Sequence, residues 1–353
     1  MIKPLAFQEM RGIMPAMKSS HISVIALVAL MTVSGSALAD NLFESRDLLE
    51  INLAADFRAM FKEKDKLMQY PARFQWGSSE PMDVLLEVRG NFRLENCQVP
   101  GLRIIFPRKM KKGLFAKQKK LKLVAQCRRK GDIWEDYLLQ EYTIYRAYEA
   151  LTEHSFQTRL VSATYVDTGD RDKTWTNYGF FIEDKGRMAK RLDLKQVAHN
   201  RVSRNDLARA EGNLAVMYHF LVGNTDFSHL KGEGTEACCH NAKLLERDDG
   251  KFIPVPYDFD LSGIINTRYA APPVNLGINK VTQRLYRGFC DNNDIVPATL
   301  SHMQSNREAI YAAFMNDRIR DKTRKKMSKY LDRFFAIADN DKKIRRKITG
   351  KCR

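Results

Sequence analysis

Three short polar segments in the second half of the chain carry the side chains best suited to chemistry. Asn224-Thr225-Asp226 ends a helical stretch, His240-Asn241 opens a strand, and Asp258-Phe259-Asp260 closes the next one. A hairpin framed in this way can place Asp226, Asn241 and Asp258 at the same end. Carboxylate and amide oxygens are what hard divalent cations select, with phosphate oxygens filling the remaining positions. A separate carboxylate can then accept a proton from an attacking hydroxyl. Asp and Asn also end helices and strands for purely local reasons, so the ordered set carries the functional reading and no single residue does. In the first half, Lys122 sits mid-strand, just ahead of a helix that bears Glu141 on its apolar stripe. A lysine held by such a glutamate can reach phosphate oxygens; Lys120 points to the same face and is an alternative. The bland reading is a snorkelling lysine and a solvated glutamate.

The elements that must position these groups follow from periodicity. Val84–Arg89, Leu102–Phe106 and Lys120–Val124 read as strands, the last alternating with period two. A helix is expected over Trp134–Glu153, then strands over Leu160–Val166 and Tyr178–Glu183, split by the polar loop Asp167–Asn177. Beyond them come a helix over Asp206–Val222, short strands around Ala242–Leu245 and Phe252–Tyr257, and helices covering Pro297–Asp339. A strand-rich first lobe (residues 40–184) followed by a helical lobe (185–353) is α+β with a natural cleft between. The common phosphate-loop, nucleophile-elbow and zinc-protease motifs are absent.

The 353 residues carry 59 Lys+Arg against 42 Asp+Glu, a net charge of +17, with 44% hydrophobic residues, so a disordered chain is excluded. From Met17 the text has a lysine, an apolar run from Ile22 to Val33, and then Ala37-Leu38-Ala39. These are the parts of a secretory signal peptide, and the run is too short for a permanent bilayer span. Residues 1–39 are therefore expected to be removed, with Met14 or Met17 as alternative starts and an uncleaved anchor as the competing reading. Removal takes away Lys3, Arg11, Lys18 and Glu9 and leaves +15. Such a charge favours anionic partners; export argues against nucleic acid, and no stable membrane insertion is expected after cleavage. The expected location is periplasmic or extracellular. All six cysteines lie beyond the leader, and an even count in an oxidising compartment suggests disulfides. Cys97 and Cys127 flank neighbouring strands and are the favoured pair. Zinc held by Cys238-Cys239 with His219, His229 and His240 is the competing reading, although adjacent thiolates rarely both reach one ion.

Over roughly Val88–Ser262 the sequence resembles the kinase-like proteins related to spore coat protein H, the CotH family. Val88-Arg89-Gly90-Asn91-Phe92-Arg93 is similar to the family's Arg-Gly-Asn opening, and Lys119–Val124 to its basic strand. Tyr137–Tyr148 resembles its helix, and Asn177–Glu183 its strand ending in Glu. Asn224-Thr225-Asp226, Asn241 and Asp258-Phe259-Asp260 resemble its catalytic loop and metal-binding segment. The resemblance implies an atypical protein-kinase-like two-lobed fold that uses Mg²⁺ (or Mn²⁺) and ATP. It implies Asp226 as catalytic base, Asn241, Asp258 and Asp260 at the metal, Lys122 and Glu141 at the nucleotide, and Glu183 near the inter-lobe hinge. Two departures stand out. Asp226 is followed by Phe227-Ser228-His229 where the family has Arg-His, and Asn241 comes 15 residues after Asp226.

The leading expectation is an exported phosphotransferase acting on a protein or envelope-associated hydroxyl. The alternatives are a non-catalytic, pseudokinase-like module binding an anionic envelope polymer, and a metal-dependent hydrolase using Asp226, Asp258 and Asp260. Processing supplies the first test. Mass spectrometry of the secreted protein should find Asp40 at the mature N-terminus; an intact Met1 or Met17 would overturn both the leader and the location.

Overall fold

The computed structural model describes residues 42–170, 173–232, 234 and 236–353. The expected leader lies outside the described residues, which all belong to one unit. Among them the strand-rich region precedes the helical one, as the α+β expectation requires. In chain order the elements are β1 (Leu49–Ala55), α1 (Phe57–Glu63), β2 (Tyr70–Trp76), β3 (Met82–Arg89), α2 (Phe92–Asn96), β4 (Gly101–Ile105), β5 (Lys120–Ala125), α3 (Asp132–Glu149), β6 (Thr158–Asp167) and β7 (Lys173–Ile182). Then follow α4 (Lys185–Arg191), β8 (Lys195–Gln196), α5 (Arg209–Val222), β9 (Ala242–Glu246), β10 (Phe252–Pro256), α6 (Val296–Ser305), α7 (Arg307–Phe314), α8 (Asp321–Ala338) and α9 (Asp341–Lys347).

The first seven strands close into a barrel in the order β1-β2-β3-β4-β5-β7-β6. Every pairing is antiparallel except the closing one, where β1 runs parallel to β6 with Leu53 opposite Tyr165. The resemblance implied a kinase-like, strand-rich first lobe; the region is strand-rich, and its strands close into a barrel. The cause is β1, a strand the sequence reading did not assign, which pairs with β2 on one side and β6 on the other. The loop expected over Asp167–Asn177 is also shorter, because β7 already pairs with β6 from Lys173.

Period-two alternation explains where the cores lie. Leu121, Leu123, Val161, Tyr165 and Phe181 point into the barrel, with Phe74, Phe106 and Phe115. Their neighbours Val124, Leu160, Phe180 and Ile182 point outward onto α3 and a second core shared with α5 and α8. Strands buried on both faces lose the polar alternation of a half-exposed strand, which is why Tyr178-Gly179-Phe180-Phe181-Ile182 reads as an unbroken apolar run. Each such side chain contributes on the order of 1.5–3 kcal/mol when fully buried. Lys122 alternates with Leu121 and Leu123 and so faces away from the barrel interior, toward the second core.

α3 is the central helix: eleven of its 18 residues are buried, including Asp136, Glu141 and Tyr145. α5 ends at Gly223, whose φ of +67° is left-handed, and a Cβ there would fall 2.0 Å from the Tyr330 hydroxyl. Only glycine satisfies both demands, and the chain turns there into Asn224-Thr225-Asp226.

Three cysteine pairs lie at disulfide distance: Cys97–Cys127, Cys238–Cys239 and Cys290–Cys352. Cys238 and Cys239 therefore have no free thiols, and the zinc reading loses its sulfur ligands. Cys97–Cys127 closes a loop of 30 residues between the start of β4 and the end of β5. Chain-entropy reasoning assigns closure of such a loop about 3–4 kcal/mol. Replacing both cysteines by alanine should lower stability by about that much in chemical denaturation. An unchanged midpoint, or both thiols found free by unreduced peptide mapping, would overturn the assignment.

Candidate functional site

A cleft of about 370 Å³ opens between the barrel end and the β9–β10 hairpin. Its walls include Arg89, Asn91 and Arg93 from the barrel side, Glu141 and Tyr145 from α3, and Asp226, His240, Asn241, Lys243, Tyr257, Asp258 and Asp260 from the other side. All four residues of the carboxylate–amide set thus line one cavity.

The long loop after Asp226 folds back on itself. Ser228 N–H donates to the His240 carbonyl at 3.0 Å, and His240 N–H to the Lys231 carbonyl at 3.0 Å. This return delivers Asn241, whose Nδ2 donates to the Asp226 backbone oxygen at 2.7 Å and to its Oδ2 at 2.8 Å. His240 Nε2 lies 2.8 Å from Asp226 Oδ1. With its amide nitrogen so engaged, Asn241 presents Oδ1 as its remaining ligand atom.

Arg287 grips the other side of this loop, donating to the carbonyls of Thr225 and Phe227 that bracket Asp226. No arginine follows Asp226 directly in the sequence, and Arg287, distant along the chain, holds the backbone around it. Asn224 Oδ1 accepts from Asp226 N–H at 2.9 Å, a local turn bond of the kind Asn favours.

Two site residues have unusual backbones: Asn241 has φ +48° and Asp258 φ +60°. Left-handed conformations in non-glycine residues cost free energy and persist where surrounding contacts over-determine them. Here the fixing contacts are visible. Tyr257 N–H donates to the Asn241 carbonyl at 3.0 Å, and Asp258 N–H donates to the Tyr145 hydroxyl at 2.8 Å. α3 thereby sets the aim of Asp258.

Asp260 is buried and accepts from the Tyr269 hydroxyl at 3.1 Å. Burial, aided by the charge of Asp258, pushes its carboxyl up to about 7. Glu141 is paired with Arg93 at 3.5 Å, not with Lys122. The reason is α2, a helix the sequence reading missed, which turns Arg93 inward. Burial raises the Glu141 carboxyl well above the ordinary range, with Arg93 opposing the shift. Glu183 is buried at the end of β7, bound by Arg191 at 2.9 and 3.1 Å, and does not line the cleft. Among the described residues, no group of three or more His, Cys, Asp or Glu side chains is assembled around a metal position.

Lys122 is half-buried with its ammonium 5.5 Å from the Tyr257 ring centroid. Arg89 donates to the Tyr257 hydroxyl. Lys120, the alternative, is exposed. Burial, reinforced by the positive charge of Arg89, pulls the Lys122 ammonium down to about 8.

No protein-family model matches this chain, and no curated protein matches it. The functional reading therefore rests on the geometry of the cleft and on its residues.

The depressed Lys122 ammonium gives a signed expectation. Between its folded value of about 8 and its ordinary 10.5, the unfolded chain holds more protons than the folded one, so stability rises with pH across that window. Lys122→Met removes the cost of keeping a charge there. It should raise Tm at pH 7, each ~1 kcal/mol giving about 2–4 °C, and the gain should shrink as pH climbs from 8 toward 10.5. A gain that stays constant with pH would refute the assignment.

Proposed function

We propose that this is an exported, kinase-like protein that transfers a phosphoryl group from a Mg-nucleotide to a hydroxyl of a protein or envelope component. The observation that carries the reading is the convergence of Asp226, Asn241, Asp258 and Asp260 in one cleft, opposite cations of the barrel end. Export is supported by the three disulfide-distance pairs, which persist in oxidising compartments.

The donor set suits magnesium. That ion usually takes one or two protein carboxylates, several waters and substrate phosphate oxygens rather than a complete protein cage. Asp258 and Asp260, with Asn241 Oδ1, would hold it, and its role when bound is to neutralise charge on the phosphates. The Asp260 carboxyl is raised first by burial and then by the neighbouring Asp258 charge, and a bound cation would offset both.

In the transfer, Asp226 accepts the proton of the acceptor hydroxyl. That oxygen bonds to the terminal phosphorus, the phosphorus–oxygen bond to the leaving diphosphate breaks, and its electron pair leaves with the diphosphate. The protein's task is positioning and charge stabilisation, since little covalent work falls to it. His240 and Asn241 keep the Asp226 carboxylate aimed, and Arg287 keeps its loop from relaxing. Lys122, which lies against Tyr257 and does not itself line the cleft, would reach toward the phosphates from the barrel.

The two aspartates should fail differently. Asp226→Asn should retain Mg-nucleotide binding, read by thermal shift, and lose transfer by ~10²-fold or more, as expected when a general base is removed. Asp258→Asn should weaken nucleotide binding itself. The variants are compared at matched melting temperature. If the unaltered protein binds no nucleotide with Mg²⁺ or Mn²⁺, the catalytic reading fails and a module that binds anionic polymer takes its place; a shift with metal alone would favour hydrolysis.

A further inference from the structure

The densest charge on the chain lies well away from the cleft residues in sequence. Residues 321–353 hold thirteen Lys or Arg, four Asp and no Glu, a net of +9 out of the whole chain's +17. The structure gathers this excess on two helices. α8 buries Met327, Tyr330, Leu331, Phe334, Phe335 and Ala338 in the second core. Helical spacing then sets Lys322, Lys325, Lys326, Lys329 and Arg333 on the opposite side, and all five are exposed. From Lys322 to Arg333 the row runs ~16 Å at the usual helical rise.

α9 extends it. Ile344 packs against the second core, and Ile348, just past the helix, is buried in it. Five of the seven residues of α9 are exposed Lys or Arg. Lys343 reaches back to α8, its Nζ donating to the Ala336 carbonyl at 3.2 Å. Ala336 is exposed and follows Arg333 on the same side of α8, so the two sets of cations meet there.

A solvated helix face usually mixes signs, with acidic partners three or four residues away relieving the repulsion. This one does not. Lys322–Lys326, Lys325–Lys329 and Lys329–Arg333 are like-charge pairs four residues apart. Among the described residues, none of the four lysines makes a hydrogen bond or an ion pair. The acids of the segment are engaged elsewhere. Asp321 pairs with Arg324, Asp332 accepts from the Tyr311 hydroxyl, and Asp339 is held by Gln304 and Arg307. Asp341 sits in the first turn of α9, where a carboxylate suits the helix dipole.

Such a row favours an anion, and its make-up selects among anions. Surfaces that grip nucleic-acid strands set aromatic rings among their cations; here Tyr330, Phe334 and Phe335 are buried. The apolar side of α8 is committed to the core, so the helix has nothing to insert into a bilayer. What remains is an outward array of rotatable point charges, suited to a plane of lipid phosphates.

We infer that the α8–α9 face is a docking surface for a membrane rich in anionic phospholipid, binding through charge alone. Contacts of this kind add up cation by cation and are screened by salt. They hold the protein against the headgroups and not within the bilayer. The inference uses neither the cleft nor the phosphoryl-transfer reading.

The test is cosedimentation of the full mature protein with vesicles of mixed phosphatidylcholine and phosphatidylglycerol, and of phosphatidylcholine alone. The unaltered protein should bind the mixed vesicles, leave the neutral ones, and come off in ~1 M salt, where the Debye length is ~3 Å. Combining Lys322→Gln, Lys325→Gln, Lys326→Gln and Lys329→Gln should lower the partition coefficient at least ~tenfold. Lys325→Gln with Lys329→Gln alone should fall between. A matched control, Arg108→Gln, Lys109→Gln, Lys111→Gln and Lys112→Gln, removes the same charge from the loop before β5 and should bind as the unaltered protein does. All eight side chains are exposed, and melting curves check that each variant folds. No binding to the mixed vesicles, equal binding to the neutral ones, or equal losses in the α8 variant and the control overturns the inference. Soluble polygalacturonate is the competing ligand: if it binds the unaltered protein and the mixed vesicles do not, the face serves a polymer and the membrane reading is wrong.

Discussion

Everything in this fold depends on burying α3 together with its polar side chains. A helix with so many buried positions has no solvent face on which to place Asp136, Glu141 and Tyr145, so each must be met by a group from another element. Asp136 takes Arg320 at 2.7 Å and the Thr323 hydroxyl at 2.6 Å, both from the start of α8. Glu141 takes Arg93 of α2, and Tyr145 takes the backbone N–H of Asp258. Three regions far apart in sequence are thereby registered against one rod. The backbone of helix α3 is used in the same way, since the Tyr218 hydroxyl of α5 donates to the Ile144 carbonyl. An unmet partner in such an interior costs roughly 1–3 kcal/mol, so these contacts specify the arrangement more than they add to its stability.

The cleft inherits its geometry from that registration. Asp258 is held in a left-handed backbone by Tyr145, and Asn241 by the strand pairing that leads into Tyr257. The Asp226 loop leaves α5 through Gly223, is gripped by Arg287, and meets Asn241 coming back. The Asp226 carboxylate and its loop are thus fixed from several directions, by His240, Asn241 and Arg287.

Much of this was legible in the sequence, for identifiable reasons. The strands β3 to β6, the helix α3 and the β9–β10 hairpin announce themselves by period-two and helical patterns, and they arise within a few residues of the expected bounds. β2 was hidden because Pro71 near its start argues against a strand. β1, left unassigned with it, finds its parallel partner more than a hundred residues away, and local pattern contains no trace of that. The carboxylate–amide set could be picked out because its order along the chain is informative. Arg287 could not, because its role is to bind two backbone carbonyls, and nothing local marks an arginine for that. Lys243 was passed over because a lysine on an alternating strand reads as a solvated residue. Glu141 was given the wrong partner because α2 was too short to register.

The parallel seam between β1 and β6 has a consequence for the order of events on a chain that emerges N-terminus first. Until β6 has appeared to pair with β1, and β7 (Lys173–Ile182) to join β6 to β5, the earlier strands can form only an open sheet with a bare edge at each end, and bare edges invite pairing with other chains. The barrel is therefore a late structure in its own synthesis, finished by a segment that lies past the whole of α3. During that interval the hydrophobic inner face has no lid. A holding factor that shields unpaired strands, acting on the nascent chain, would matter more for this protein than for one whose neighbouring strands pair as they appear.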